Sequence, residues 1–141
     1  MKIVLDTNVL VSGIFFQSGV CTEILDRWMN GEFRVYATPS ILEEYIRVID
    51  RIASRKKIPL EHNWHTLLPE LCHMISGTIP EKRICRDAAD DKFLFCALEA
   101  RVQYLVSGDL DLGVLGSIDN VKILSPRKFL DTLDKYKRSH S

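Results

Sequence analysis

Short apolar runs rich in β-branched and aromatic residues alternate along this chain with longer stretches of helical spacing, and few architectures accommodate that alternation. The short runs are Lys2–Leu5, Phe33–Ala37, Met74–Ser76, Tyr104–Ser107 and Val121–Leu124. Helical spacing covers Thr22–Asn30, Pro39 to about Ala53, Pro59 to about Cys72, Asp90–Arg101, Leu110–Leu115 and Pro126 to about Tyr136. Gly31 stops the first of these, Thr38 and Ser125 stand as caps before Pro39 and Pro126, and Pro69 is expected to kink the Pro59 helix. Strand and helix in turn predict an α/β fold, a three-layer α/β/α sandwich around a central parallel sheet of about five strands. The 141 residues suit one domain, expected over 1–134, with 135–141 as a basic, flexible tail.

Composition narrows the class. At 46% hydrophobic the chain can bury a core, which excludes disorder. Nineteen basic and 19 acidic side chains cancel, so no global charge draws the molecule to nucleic acid. Lys2 precedes only three apolar residues before Asp6, unlike a secretory signal, and no apolar run nears the ~20 residues of a membrane span. Cys21, Cys72, Cys85 and Cys96 include no CxxC pair. They read as reduced thiols of a cytoplasmic protein with no membrane partner.

The acids carry the chemistry. Asp6 ends the first strand, Glu44 lies one turn inside the helix after the second, Asp90 opens the helix after the third, and Asp109 follows the fourth. In a parallel sheet these places share the carboxyl edge, where ligands bind. Each acid alone has a plainer use: Asp6 and Asp90 as helix caps, Glu44 on a solvated face, Asp109 as a turn residue beside Gly108. Their recurrence after four successive strands favours a shared role. Gathered carboxylates repel, so they must be paired, protonated or metal-bound. Hard cations take oxygen ligands, and two such ions about 4 Å apart activate water and stabilise the leaving oxygen of a phosphodiester. No histidine lies near the acidic clusters, which disfavours zinc.

Four stretches, in order, resemble the motifs of the PIN domain, a family of small metal-dependent ribonucleases. They are Val4-Leu5-Asp6-Thr7-Asn8-Val9-Leu10, Ser40-Ile41-Leu42-Glu43-Glu44-Tyr45-Ile46-Arg47-Val48-Ile49, Asp87-Ala88-Ala89-Asp90-Asp91-Lys92-Phe93-Leu94-Phe95-Cys96-Ala97, and Tyr104-Leu105-Val106-Ser107-Gly108-Asp109-Leu110-Asp111-Leu112. The resemblance spans Ile3 to about Leu130 and is nearest to stand-alone prokaryotic PIN proteins described as toxins of toxin–antitoxin pairs. It implies a PIN-like, Rossmann-like fold and Mg²⁺- or Mn²⁺-dependent hydrolysis of single-stranded RNA in the cytoplasm. A homodimer and an antitoxin protein are the implied partners besides RNA.

Carried over by residue, Asp6, Asp90 and Asp109 match the acids that hold the principal ion. Glu44, preferred to Glu43, matches an acid for a second ion or its water. Asn8 matches a polar residue that orients Asp6, and Ser107 a hydroxyl near the metal. Asp111 and Asp87 are supporting candidates. Ser107 stands where relatives often have threonine, which keeps the hydroxyl, and Ala88-Ala89 replace a proline-containing pair. Two rival readings remain: a metal-free PIN-like RNA-binding or assembly module, and an aspartate-nucleophile phosphatase. The phosphatase needs a second acid two residues after Asp6, and Asn8 cannot serve. Elsewhere, Arg51, Arg55, Lys56 and Lys57 read as a solvated basic segment, His62 and His65 as non-ligating, and Trp28 and Trp64 as core or dimer surface.

Overall fold

The computed structural model describes residues 1–16, 19–77 and 88–140, without the side chains of 88–91 and 111. The chain begins with strand β1 (Lys2–Leu5), then helices α1 (Thr7–Phe15) and α2 (Val20–Met29), β2 (Arg34–Ala37), α3 (Pro39–Lys56), α4 (Trp64–Leu71) and β3 (Cys72–Met74). It continues with α5 (Ala88–Ala100), β4 (Tyr104–Val106), α6 (Leu110–Leu115), β5 (Ser117–Ile118), β6 (Val121–Leu124) and α7 (Pro126–Ser139). The strands form one six-stranded sheet in the order β3-β2-β1-β4-β6-β5. All neighbours are parallel except the β5–β6 pair. The expected α/β sandwich is therefore present, with one strand more than the sequence pattern showed.

β1 lies near the middle of the sheet, and Ile3, Val4 and Leu5 are at most 1% exposed, as befits a strand covered on both faces. From β1 the chain steps outward to β2 and β3, then crosses back to β4 on the other side of β1. Crossovers of one hand in opposite directions put their helices on opposite faces of the sheet. Thus α5, which leads into β4 and packs across β1, β2 and β4, covers one face. The other helical layer joins α1 to α2 and α3, and α2 to α7.

Local chemistry sets the helix positions. Thr38 accepts a hydrogen bond from the Ile41 N–H at 3.2 Å, Pro39 starts α3, and Ile41, Tyr45 and Ile49 bury one stripe. The loop after β3 crosses this cap at Gly77, whose φ is +73°; a Cβ there would lie 2.8 Å from the Thr38 methyl. In α1, a Cβ on Gly13 would lie 2.7 Å from the Cys21 carbonyl oxygen, so glycine is what lets α1 and α2 approach. Trp28 and Trp64 are each 3% exposed and belong to the core.

Several boundaries differ from the sequence expectation. Helix α1 was not foreseen, because Val9, Val11 and Gly13 disfavour an isolated helix; burial of Val9, Leu10 and Val11 supplies what propensity lacks. Helix α4 starts at Trp64 rather than Pro59, after α3 ends on Lys57 in a left-handed conformation. Pro69 lies inside α4, which stops two residues later, and β3 begins at Cys72, earlier than expected. β5 is two residues long, too short to show a pattern, and meets β6 through a turn with Asp119 at φ +50°. Residues 135–139, expected as part of a tail, continue α7. Lys137 there pairs with Glu32 at 2.9 Å, and Glu32 and Asp134 both pair with Arg27, at 3.0 and 2.7 Å. Cys21, Cys72 and Cys96 are free thiols; Cys85 lies outside the described residues. No single described helix is long and apolar enough to cross a membrane.

Candidate active site

The sheet changes direction of winding between β1 and β4, and crevices at such a switch point are the usual ligand sites of open α/β sheets. Leu5 and Val106 are the last paired residues of these two strands. The next residue on each is Asp6 and Ser107, so the sequence delivers a carboxylate and a hydroxyl side by side at the head of the crevice.

Asp6 is 5% exposed and Ser107 4%. The Ser107 hydroxyl donates to Asp6 Oδ2 at 2.7 Å and accepts from the Asp109 N–H at 3.0 Å. The second bond turns the hydroxyl lone pairs toward Asp109 and its proton toward Asp6. Asp6 Oδ1 accepts from the Asn8 N–H at 3.2 Å, which makes Asp6 the cap of α1. Asn8 therefore meets Asp6 through its main chain, while its own side chain is exposed. The contact that the resemblance led one to expect between Asn8 and Asp6 is thus made by the Asn8 main-chain N–H.

Asp109 is the corresponding cap of α6: its Oδ1 accepts from the Leu112 N–H at 3.4 Å, and its carbonyl from Gly113 at 2.9 Å. Capping and convergence thus coincide in Asp6 and Asp109. Burial pushes the Asp6 pKa above the ordinary carboxylate range; the Ser107 and Asn8 bonds pull it down, and the nearby Asp109 and Glu44 carboxylates push it up again. Among the described residues, the donors to Asp6 are neutral, and two further acids stand beside it.

Glu44 reaches the same region from α3. Its Oε2 accepts from the Thr7 hydroxyl, and its Oε1 meets Lys92 Nζ at 2.6 Å, with Arg47 Nη2 farther off at 4.0 Å. Glu43 is exposed. Tyr45, fully buried beside Glu44 in sequence, donates its phenol proton to the Leu5 carbonyl and so ties α3 to the end of β1.

Asp90 is the third residue of α5, and its side chain, like that of Asp111 on α6, is not described; Asp87 lies outside the described residues. Lys92, two residues beyond Asp90, touches Glu44, so the first turns of α5 border the crevice. Among the described residues no group of three or more His, Cys, Asp or Glu forms a metal cage by itself, a set without the Asp90 side chain. His65 pairs with Asp50 at 2.8 Å, away from the acids.

The donor set suits a hard cation. It consists of carboxylate and hydroxyl oxygens, with a buried acid that no cation touches among the described residues. Sequence reasoning missed Thr7, Tyr45 and Lys92. The Lys92 signal was there: a lysine beside Phe93 and Leu94 and one turn before Cys96, all buried, borders an apolar face where a charge needs a partner.

The four acids also fall inside one family match. The PIN domain profile matches residues 2–111. Over 146 aligned residues the chain is 28% identical to an uncharacterized protein of Methanocaldococcus jannaschii, MJ1680, with 96% of this chain and 94% of that protein covered. No solved structure matches the chain significantly. With the match running from β1 into α6, through the strand ends that carry Asp6 and Asp109, the chain belongs to the PIN domain family.

Proposed function

We propose that this protein hydrolyses phosphodiester bonds of single-stranded RNA with Mg²⁺ or Mn²⁺ as cofactor. The fold is of nuclease type by its family. The observation that carries the finer reading is the state of Asp6: buried, fixed at both oxygens, and opposed by the Asp109 and Glu44 carboxylates. Such an arrangement raises the energy of the ionised acid unless a cation joins it.

Asp6, Asp109 and Asp90 are the residues that would hold the ion, which supplies Lewis-acid activation of water and charge for the leaving oxygen. The chain's own groups do the positioning. Ser107 fixes the carboxylate plane of Asp6 and is itself fixed by Asp109. Thr7 holds Glu44 over the crevice, and Tyr45 keeps α3 in register with β1. The buried strand ends keep bulk water from Asp6, which is 5% exposed. Water is the proposed nucleophile, and no covalent intermediate on the protein is invoked.

Purified protein incubated with single-stranded RNA and Mn²⁺ tests this. Cleavage is expected from the wild type and lost with a chelator, in Asp6→Asn and in Asp90→Asn, while circular dichroism stays unchanged. Undiminished cleavage by folded Asp6→Asn would overturn the assignment. The toxin role implied by the resemblance in motif wording is the narrower part of the proposal. Growth arrest on expression of the wild type, absent with Asp6→Asn, checks it.

A further inference from the structure

Lys92 is the cation nearest to Glu44 among the described residues. Its ammonium meets Glu44 Oε1 at 2.6 Å, and the other Glu44 oxygen is engaged by Thr7. The pair is not a loose surface contact: the side chains are 27% and 15% exposed, respectively. It also bridges elements from the two helical layers, Glu44 from α3 and Lys92 from α5, across the carboxyl edge of the sheet. Lys92 Nζ also lies over the Phe93 ring, 5.8 Å from its centroid. Arg47, the other cation near Glu44 among the described residues, is 63% exposed and 4.0 Å away, so the close charge compensation there falls to Lys92.

The two carboxylates of the crevice are therefore treated unequally. Among the described residues, Asp6 has hydroxyl and amide donors and no ammonium or guanidinium in contact, whereas Glu44 has a lysine. A divalent ion approaching Glu44 would have to displace or face a like charge at contact distance, whereas one approaching Asp6 would not.

We infer that Lys92 acts as a built-in monovalent counter-ion of Glu44, replacing a second divalent ion and holding this site to one divalent ion per chain. The inference rests on the proposed metal-dependent function. It makes Lys92 a positioning and stoichiometry-setting residue rather than a ligand, and it moves Glu44 out of the coordination set in the wild type.

The test is Mn²⁺ titration of the full chain by calorimetry, with electron paramagnetic resonance to detect coupled Mn²⁺ pairs. Wild type and Lys92→Arg are expected to bind one ion per chain with an uncoupled spectrum. Lys92→Met is expected to bind two, with a spin-coupled signal, and Lys92→Gln repeats the measurement if the methionine variant fails to fold. Two ions in the wild type would overturn the inference, as would one ion in both neutral variants. Those outcomes leave the metal-dependent function standing. Absence of Mn²⁺ binding in every protein would overturn both.

Discussion

The two sides of the crevice solve the same electrostatic problem differently. On the strand side, Asp6 is buried at the end of β1, and its contacts are a hydroxyl and a main-chain N–H. On the helix side, Glu44 is partly exposed on α3 and is neutralised by Lys92. Among the described residues no cation touches Asp6, whereas Glu44 is paired before any ligand arrives. The difference shows that clustered acids are not equivalent ligands merely because they are near one another. Demand for a cation is concentrated where the backbone, rather than a long side chain, fixes the carboxylate.

Removing the hydroxyl on each side gives the largest contrast. Ser107→Ala frees Asp6 Oδ2 and is expected to weaken Mn²⁺ binding and cleavage by about 10–100-fold, the usual range for a group that orients a ligand. Ser107→Thr should restore both, since it keeps the donor. Thr7→Val removes the matching hydroxyl from Glu44 and should cost less, because Lys92 still holds the other oxygen. Calorimetry and initial cleavage rates on the three variants check this order. A Thr7→Val loss as large as that of Ser107→Ala would break the distinction between the two sides.

That distinction also marks how far the sequence could be read. Position along the chain places Asp6, Ser107 and Asp109, because they sit directly at strand ends and a parallel sheet leaves them no other edge to occupy. The sheet itself followed from the alternation of runs, and β6 and α6 have the bounds that the pattern predicted. What depends on contacts between distant elements was not legible. Helix α1 exists because tertiary burial outweighs its β-branched residues and Gly13. The orienting contact at Asp6 comes from the Asn8 main chain, which any residue but proline could provide, so the side-chain identity carried no information about it. The Glu44–Lys92 pair joins residues from different layers, and no periodicity in either segment links them.

A smaller, pH-dependent effect should separate the sides by stability. The raised Asp6 pKa means that the folded chain binds this proton more tightly than the unfolded chain does. Ionising Asp6 therefore costs stability: the cost is absent below the ordinary carboxylate range and grows as pH rises through the raised folded value. Asp6→Asn removes it. In chelator, Asp6→Asn should melt above the wild type at pH 7, and the advantage should shrink as the pH is lowered to about 4. With Mn²⁺ the order should reverse, since ligand binding stabilises only the chain that binds it. Glu44→Gln, which leaves Lys92 without its partner, should show no such gain at pH 7. Thermal melts across pH, with and without Mn²⁺, decide this, and a chelator-independent melting point for the wild type would count against a cation at Asp6.

The smallest effect is expected at Arg47, and it sharpens the comparison by being small. Arg47 shares Glu44 with Lys92, but at 4.0 Å and with 63% of its side chain exposed, solvent screens most of its attraction. Exposed substitutions of this kind usually change stability by no more than about 0.5 kcal/mol. Arg47→Ala should leave the melting temperature, Mn²⁺ stoichiometry and cleavage rate at the wild-type level. A second Mn²⁺ bound by Arg47→Ala, as expected for Lys92→Met, would mean that Glu44 is compensated by a diffuse basic field. The unequal treatment of the two carboxylates would then belong to the α3 surface rather than to one lysine reaching across the sheet edge.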